Sequence, residues 1–432
     1  MADNDPRLGS NFCGMHFATP LVQLSGCVGF GEEYTRVQGF SNRDAGAVCL
    51  KGTTGTARSG NAPHRVYETP GGMLNAIGLQ NPGVDRVVDD ILPTLDFEET
   101  RFIANVSGST VEEYIEVTRR FDDSPIDAIE INISCPNVKE GGVAFGNDPD
   151  MSARVVEACR GVTRKPLITK LSPNQTDIAE NARRCIEAGS DAFAVINTLM
   201  GMAIDIESRT PHIGNNQGGL SGPAIKPIAL LKVHQVYQVT RAHDIPIIGQ
   251  GGVTSAEDAI EFLLAGAAAV GVGTALFYDP LILPKINQGI LDYLDRHRLD
   301  SIGQLTGALQ LNTARPTPLC GCCGRTRAPP LTRNIRNRLY SPHASRADVE
   351  NSQTNLERIM SDVEALKAEK AKLISEMLEL QKQFMDIEHQ SGITGKSYYY
   401  SQEGLLKDYR EVYSEKAMRV VELSHQIVGS HP

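Results

Sequence analysis

The chain has 432 residues, of which 41% are hydrophobic and 22% are charged, a balance that excludes a disordered or collagen-like chain. Its 42 Lys and Arg against 52 Asp and Glu give a net charge of −10, which argues against a nucleic-acid-binding protein because phosphate contacts need a basic surface. Nine cysteines are too sparse for a disulfide scaffold, and no apolar run reaches the roughly 18 residues of a membrane span. The first residues lack the features of a secretion signal, so we expect a cytoplasmic protein that binds neither nucleic acid nor membrane.

Eight short apolar runs, separated by spacers of helical length, predict eight parallel strands. Runs that are apolar throughout are typical of strands buried on both faces. One spacer, Ser255–Ala265, predicts an amphipathic helix with Ser255 as its N-cap. Eight strand–helix units in about 280 residues favour an α/β fold of the (β/α)8 TIM barrel type over a doubly wound sheet. The runs are Pro20–Ser25, Ala47–Lys51, Phe102–Val106, Ala128–Ser134, Leu167–Leu171, Ala192–Thr198, Pro246–Gln250 and Ala269–Thr274.

Polar residues and glycines end these runs. The carboxyl ends of all barrel strands meet at one mouth, where active sites of this fold are built. Polar residues also end strands simply because loops begin there, but a lysine is costly to desolvate without an anionic or electron-rich ligand. We therefore predict a site at this mouth. The residues are Ser25, Lys51, Asn105, Asn132, Cys135, Lys170, Asn197, Thr198, Gly251, Gly252, Gly273 and Thr274.

Two of these ends predict a phosphate site. Gly251-Gly252 and Gly273-Thr274 follow the seventh and eighth runs, where loops of barrel enzymes often hold phosphate through backbone N–H groups. The glycine-rich segment Gly218–Gly222 could reach the same anion. A phosphate-bearing cofactor follows from this pattern, which fits many barrel enzymes.

Cys135 follows the fourth run in the sequence Asn-Ile-Ser-Cys-Pro-Asn. Free cysteines are mostly small buried hydrophobic residues, and that interpretation suits Cys27, Cys49, Cys159 and Cys185. Cys135 lies outside an apolar pattern and precedes a glycine-bearing loop, 138–146, that could cover the site. A thiolate near a lysine would be a competent base.

The segment Pro70–Asn81, which we predict to be a loop after the second run, brings backbone amides and the side chain of Asn75 to the same mouth. An asparagine amide carries both a donor and an acceptor. This combination suits a planar cyclic amide or imide as ligand.

Six long segments between about residue 19 and about residue 305 carry a resemblance to a known family. The segments are Glu68–Gly83, Ile131–Gly146, Lys170–Asn174, Ile196–Asp205, Gly218–Leu230 and Gly249–Ala275. Together they resemble class 1 dihydroorotate dehydrogenases and are most similar to the catalytic subunit of the type B, NAD-linked enzymes. The sequence Gly-Gly-Val-Ala-Phe-Gly at 141–146 favours type B over the fumarate-linked type A.

The resemblance implies an FMN-containing barrel that oxidises (S)-dihydroorotate to orotate in de novo pyrimidine (UMP) synthesis. It implies that Cys135 is the base that removes the C5 proton while hydride leaves C6, and that Lys51 lies between flavin and substrate. Lys51 would also bind both molecules, and no metal is expected. The implied substrate-binding residues are Asn75, Ala76, Ile77, Gly78, Leu79, Asn132, Asn197 and Thr198, and the implied FMN-binding residues are Ser25, Gly52, Asn105, Asn132, Lys170, Ile196, Gly222, Gly251, Gly252, Gly273 and Thr274.

The chain has no second nucleotide-binding fingerprint and no ferredoxin-like cysteine spacing. The resemblance therefore implies a separate electron-transfer subunit that carries FAD and a 2Fe–2S cluster and passes electrons on towards NAD+. It also implies a homodimer. Cys320-Gly321-Cys322-Cys323 is the only tight cysteine cluster, and we interpret it as part of an exposed linker rather than as a metal site.

Position 52 is glycine, where the resemblance leads us to expect alanine.

Composition divides the chain into three parts. We predict a barrel over residues 1–310, a Pro/Cys/Arg-rich linker over 311–345 and a helical extension over 346–432. Apolar residues at alternating spacings of four and three from Ile359 to Ile387, followed by a second amphipathic stretch at Leu405–Ile427, predict an antiparallel coiled-coil hairpin. This hairpin could serve packing or oligomerisation, or it could dock a partner.

Three alternatives stay open at this stage. The first is a related flavin barrel acting on another pyrimidine, such as dihydrouracil or dihydrouridine in tRNA, although the acidic charge disfavours tRNA. The second is a fumarate-linked type A enzyme. The third is an inactive barrel that only displays the helical hairpin, which the presence of Lys51, Cys135 and Lys170 disfavours.

Overall fold

The computed structural model describes residues 5–133, 139–140, 143–312, 365–377, 379–380, 383, 412–413, 415–420 and 422–423. The chain forms two compact units, Met1–Leu311 and Asn312–Pro432. Within the described ranges, no helix combines the length and hydropathy that crossing a bilayer requires.

The first unit is built around a closed barrel of eight parallel strands. Neighbouring strands pair in chain order, and the last strand returns to the first through the pair Val270 and Leu21. Each predicted run overlaps one strand, so the predicted (β/α)8 barrel is confirmed. The strands are β1 Leu21–Gln23, β2 Ala47–Cys49, β3 Arg101–Val106, β4 Ala128–Asn132, β5 Leu167–Leu171, β6 Ala192–Val195, β7 Ile247–Gln250 and β8 Ala269–Val272.

Six full helices follow β3 to β8, whereas β1 and β2 are followed by short helical turns such as Tyr34–Arg36 and Val84–Arg86. Side-chain caps fix where several helices begin, because they satisfy backbone N–H groups of the first turn. Ser255 caps the helix predicted for its segment by accepting a hydrogen bond from the Asp258 N–H. The helices are α1 Val111–Asp122, α2 Pro149–Arg160, α3 Ile178–Glu187, α4 Lys226–Thr240, α5 Ala256–Ala265 and α6 Ile282–His297.

The amino-terminal end of the barrel is filled by apolar side chains. Small and branched residues of the strands, such as Ala47, Ala192 and Ile248, form one buried cluster with Phe12 and Phe17. These two aromatic residues come from the hairpin formed by Ser10–Phe12 and Met15–Phe17, and their rings stack 5.2 Å apart. Because this end is closed by packing, the carboxyl end is left for a site.

An antiparallel four-stranded sheet extends from the loops that follow β2 and β6. Its order is Leu199–Gly201, Gly218–Ser221, Gly72–Asn75 and Val66–Thr69. The sequence predicted a loop at Pro70–Asn81 and a flexible glycine-rich segment at Gly218–Gly222. In the structure, the two segments pair with each other in the register Gly219 to Asn75, so part of each is a strand.

In the second unit, the described residues 365–377, 379–380, 383, 412–413, 415–420 and 422–423 are helical. Lys416 forms an ion pair with Glu376, and Arg419 forms one with Glu369 at 3.0 Å. Residues 313–345 of the predicted linker, which include the Cys320–Cys323 cluster, and most of the predicted hairpin lie outside the described residues. Their boundaries stay predictions.

Candidate active site

A cavity of about 660 Å³ opens at the carboxyl end of the barrel. Every barrel strand supplies residues at or just beyond its carboxyl end, as expected where parallel strands converge. All the predicted site residues of the described part line this cavity, whereas Cys135 lies outside the described residues. They are Ser25, Lys51, Gly52, Asn75, Ala76, Ile77, Gly78, Leu79, Asn105, Asn132, Lys170, Ile196, Asn197, Thr198, Gly222, Gly251, Gly252, Gly273 and Thr274.

Two ammonium groups share the cavity. Burial lowers the pKa of Lys51, and the positive charge of Lys170 lowers it further, while the thiol of Cys27 has the opposite effect. In the described ranges, no carboxylate oxygen lies within 4 Å of Lys51 Nζ. Burying an uncompensated cation costs free energy, so an anionic or electron-rich ligand next to Lys51 would stabilise the folded protein.

Lys170 is 6% exposed, and its charge is balanced differently. Its Nζ lies 3.6 Å from Oε1 of Glu130. Burial by itself lowers the pKa of Lys170, but the carboxylate of Glu130 and the thiols of Cys49 and Cys27 outweigh burial, so the pKa is raised. Lys170 is therefore a fixed positive charge at the cavity wall.

Glu130 is a residue of the site region that the sequence analysis missed. It is 1% exposed, and it accepts a hydrogen bond from Nδ2 of Asn105, its register partner on β3. The available signal was that Glu130 is the only charged residue in the predicted run Ala128–Ser134. That signal indicates a partner without saying which residue it is.

Amide side chains form a connected row in the cavity that begins at Asn132, the register partner of Lys170 on β4. Nδ2 of Asn197 donates to Oδ1 of Asn132 at 3.1 Å, and Oδ1 of Asn197 accepts from the Thr198 N–H. Asn174, to which the sequence gave no role, donates to the Thr198 carbonyl and accepts from the Met200 N–H. These bonds fix the direction in which each amide donates and accepts, so the row can recognise a planar ring of carbonyl and N–H groups.

Glycines allow three backbone segments to approach each other closely at the far wall. Gly251 has φ +131, and a Cβ there would lie 2.8 Å from Cβ of Ala229. Gly252 has φ +89, and a Cβ there would lie 2.7 Å from the carbonyl oxygen of Gly222. Nearby, Oγ1 of Thr274 donates to Oγ of Ser221 at 2.8 Å. Such a wall of backbone and hydroxyl groups is the kind of surface that binds phosphate.

Gln250 provides a further test of whether a ligand belongs here. It is 2% exposed and lines the cavity, and its Nε2 donates to the Ile196 carbonyl at 3.0 Å. Its Oε1 is buried and has no hydrogen-bond partner in the described part of the chain. Because a buried acceptor without a partner is costly, a ligand that donates an N–H or O–H fits this wall.

Cys27 also lines the cavity, although the sequence suggested only a packing role. Burial raises the pKa of its thiol to about 11, and the charges of Lys170 and Lys51 offset this only in part. The thiol is therefore protonated at neutral pH and is not a base. Across the described ranges, no group of three or more His, Cys, Asp or Glu side chains could hold a metal ion.

Replacing Gly251 with alanine should destabilise the protein by about 2 kcal/mol, because the new Cβ meets Ala229 and the backbone conformation is strained for any residue but glycine. The matched control is Gly161→Ala at the end of α2, where φ is −63 and a Cβ meets nothing closer than 3.4 Å. We expect Gly161→Ala to change stability by no more than about 1 kcal/mol. Urea denaturation of both variants measures the difference, and equal effects would contradict the strain argument.

The sequence of the chain is similar to those of known proteins. A family model described as "Dihydroorotate dehydrogenase" matches residues 7–294. The chain is 48% identical over 306 residues to a Pelobacter propionicus protein named "Dihydroorotate dehydrogenase B (NAD(+)), catalytic subunit", covering 71% of this chain and 99% of that protein. Proteins of the same name from Anoxybacillus flavithermus and Alkaliphilus oremlandii are 49% and 47% identical over 302 and 303 residues, each covering 70% of this chain and 95% and 99% of the relative.

Proposed function

The chain belongs to the dihydroorotate dehydrogenase family, and from this premise we propose that its barrel uses FMN to oxidise (S)-dihydroorotate to orotate as the catalytic subunit of a type B enzyme. The protein is an oxidoreductase of pyrimidine biosynthesis, and its family implies a flavin cofactor. The observation that carries the finer proposal is that all the described residues expected to bind cofactor or substrate line one cavity.

We assign the cofactor to the glycine-lined wall and the neighbouring strand ends. Backbone groups of Gly222, Gly251, Gly252 and Gly273, with the hydroxyl of Thr274, would hold the phosphate. When bound, the flavin supplies the acceptor for hydride. Lys170 would stabilise the negative charge that this transfer brings into the site, and Ser25, Gly52, Asn105, Asn132 and Ile196 would complete the pocket.

We assign the substrate to the amide row and the segment Asn75–Leu79. The fixed amides of Asn132 and Asn197 can pair with the carbonyl and N–H groups of a ureide ring, and the ammonium of Lys51 can pair with its carboxylate. Thr198 would contribute from the same wall. In this proposal, Cys135 is the base that takes the C5 proton while hydride leaves C6, a role assigned from the family motif.

The relatives are named as catalytic subunits of NAD(+)-linked enzymes, which implies a separate electron-transfer partner. We propose that this partner carries FAD and a 2Fe–2S cluster, and that the catalytic chain forms a homodimer. The five described free cysteines, which include Cys49 and Cys159, fit a reducing compartment, and we propose the cytoplasm. The names of these relatives favour the NAD-linked enzyme over the fumarate-linked and dihydropyrimidine alternatives.

The purified protein should bind flavin, and anaerobic addition of (S)-dihydroorotate should bleach the flavin absorption band. Dihydrouracil should leave the band unchanged, because it lacks the carboxylate that Lys51 would bind. Absorption spectra recorded under argon make the measurement. A protein that binds flavin but is bleached by dihydrouracil and not by dihydroorotate would contradict the proposed substrate.

Replacing Cys135 with alanine should leave flavin binding intact but slow flavin reduction by dihydroorotate by about 100-fold or more, since a positioned base contributes about 10² to 10⁴ to rate. Cys13→Ala, which removes a thiol outside the cavity lining, is the matched control and should reduce at the wild-type rate. Stopped-flow absorbance gives both rates. Equal rates for Cys135→Ala and the wild type would remove Cys135 from the base role.

The chain alone should not reduce NAD+, because electrons would have to leave the barrel through the partner. Adding the iron–sulfur flavoprotein that copurifies with the untagged chain should couple dihydroorotate oxidation to NADH formation, followed at 340 nm. Fumarate should not reoxidise the reduced flavin at a comparable rate. Rapid fumarate reduction by the isolated chain would instead support a type A enzyme.

A further inference from the structure

Glu130 is a buried carboxylate that the mechanism above does not use. It lies on β4 beneath the cavity and is 1% exposed. A carboxylate taken this far from water destabilises a protein unless charges and donors surround it. The apolar residues beside it on the strand, Ile129 and Ile131, pack into the core, so its partners lie on the neighbouring strands.

Two partners of Glu130, Asn105 and Lys170, line the cavity. Its Oε1 accepts a hydrogen bond from Nδ2 of Asn105 on β3 and lies 3.6 Å from Nζ of Lys170 on β5. Glu130 therefore sits between two groups that face the same ligand space. One carboxylate fixes the direction of an amide and the position of an ammonium.

The contrast between the two cavity lysines shows what the carboxylate does. Lys51 has no carboxylate within 4 Å in the described ranges, and burial lowers its pKa. Lys170 is more deeply buried, yet its pKa is raised, and Glu130 is the largest influence that opposes burial. Within the described ranges, the titratable groups facing Lys170 are Glu130 on β4, Cys49 on β2, Cys27 after β1 and Lys51 after β2. Among these groups, Glu130 is the one carboxylate.

We propose that Glu130 is a positioning residue that holds Lys170 as a permanent ammonium and aims Asn105 into the cavity, and that it thereby sets the affinity and the reduction potential of the bound flavin. This inference rests on the proposed flavin site. It does not depend on which molecule reduces the flavin. Glu130 acts through Lys170, since it lies outside the cavity lining.

The test uses four variants of the full chain. Glu130→Gln keeps an acceptor for Asn105 but removes the charge, and Glu130→Asp keeps the charge. Lys170→Met removes the ammonium, and the double variant Glu130→Gln/Lys170→Met removes both charges. Flavin affinity is measured by fluorescence titration, and the reduction potential is measured against reference dyes across pH.

We expect Glu130→Gln to bind flavin about tenfold more weakly. This is the effect of losing roughly one charge-assisted hydrogen bond, the one from the ammonium of Lys170 to the flavin. Without the carboxylate, burial dominates, and the ammonium of Lys170 loses its proton at a lower pH than it does in the wild type. The potential of Glu130→Gln should therefore match the wild type at acidic pH and fall to that of Lys170→Met at alkaline pH. Glu130→Asp should stay close to the wild type throughout.

The double variant keeps the test decisive if Glu130→Gln does not fold. Removing one partner of a buried pair is strongly destabilising, whereas removing both is often tolerated. Because Glu130 acts on the flavin through Lys170, Lys170→Met and the double variant should show the same potential. A clear difference between those two potentials would mean that Glu130 acts on the flavin directly and would overturn the inference.

The inference and the proposed function fail in different ways. If Glu130→Gln shows wild-type flavin affinity and a wild-type potential at every pH, Glu130 is only a packing residue and the inference is wrong. If the wild type binds flavin and these shifts appear, but dihydroorotate does not bleach it, the substrate proposal alone is wrong. A wild-type chain that binds no flavin overturns both.

Discussion

The site depends on the burial of two ammonium groups in one cavity. A desolvated cation lowers the stability of the folded chain unless a negative charge or strong acceptor compensates it. The protein meets this requirement in two ways. Lys170 has an internal partner in Glu130, whereas Lys51 has no such carboxylate nearby in the described ranges and is left to be compensated by a ligand. Lys170 is therefore a constant positive charge in the cavity wall, whereas the charge of Lys51 is compensated only when a ligand occupies the site.

The two ends of the barrel have different roles: the amino-terminal end stabilises the fold, and the carboxyl end forms the site. The amino-terminal end is filled by alanine and branched side chains and is closed by the stacked rings of Phe12 and Phe17. The carboxyl end has backbone walls at Gly222 and Gly251–Gly252, and its lining combines amide and ammonium groups with apolar side chains. Because the apolar end supplies cohesion, the other end can hold buried charges and an unpartnered amide oxygen at Gln250 that a fully packed core would not tolerate.

The sequence was sufficient to predict the barrel because strands buried on both faces are apolar throughout, and each run therefore marks one strand. It was sufficient for the cavity lining because parallel strands bring their ends together. It was not sufficient for Glu130, since its partners Asn105 and Lys170 lie on other strands and only the barrel register brings them together. The sheet formed by Gly72–Asn75 and Gly218–Ser221 was missed because its glycines look like loop residues, and its pairing joins segments far apart in sequence.

The glycine at position 52 is explained by the same set of contacts. A Cβ there would lie 2.9 Å from Oδ1 of Asn105 and 3.2 Å from Oγ of Ser107. The amide of Asn105 is turned so that its Nδ2 reaches Glu130, and this orientation directs its oxygen towards residue 52. Alanine at this position would require the amide to shift, and the shift would be transmitted through Glu130 to Lys170. Glycine in place of the expected alanine therefore leaves room for this orientation of Asn105. The contacts run from Gly52 after β2 through Asn105 on β3 and Glu130 on β4 to the buried ammonium of Lys170 on β5.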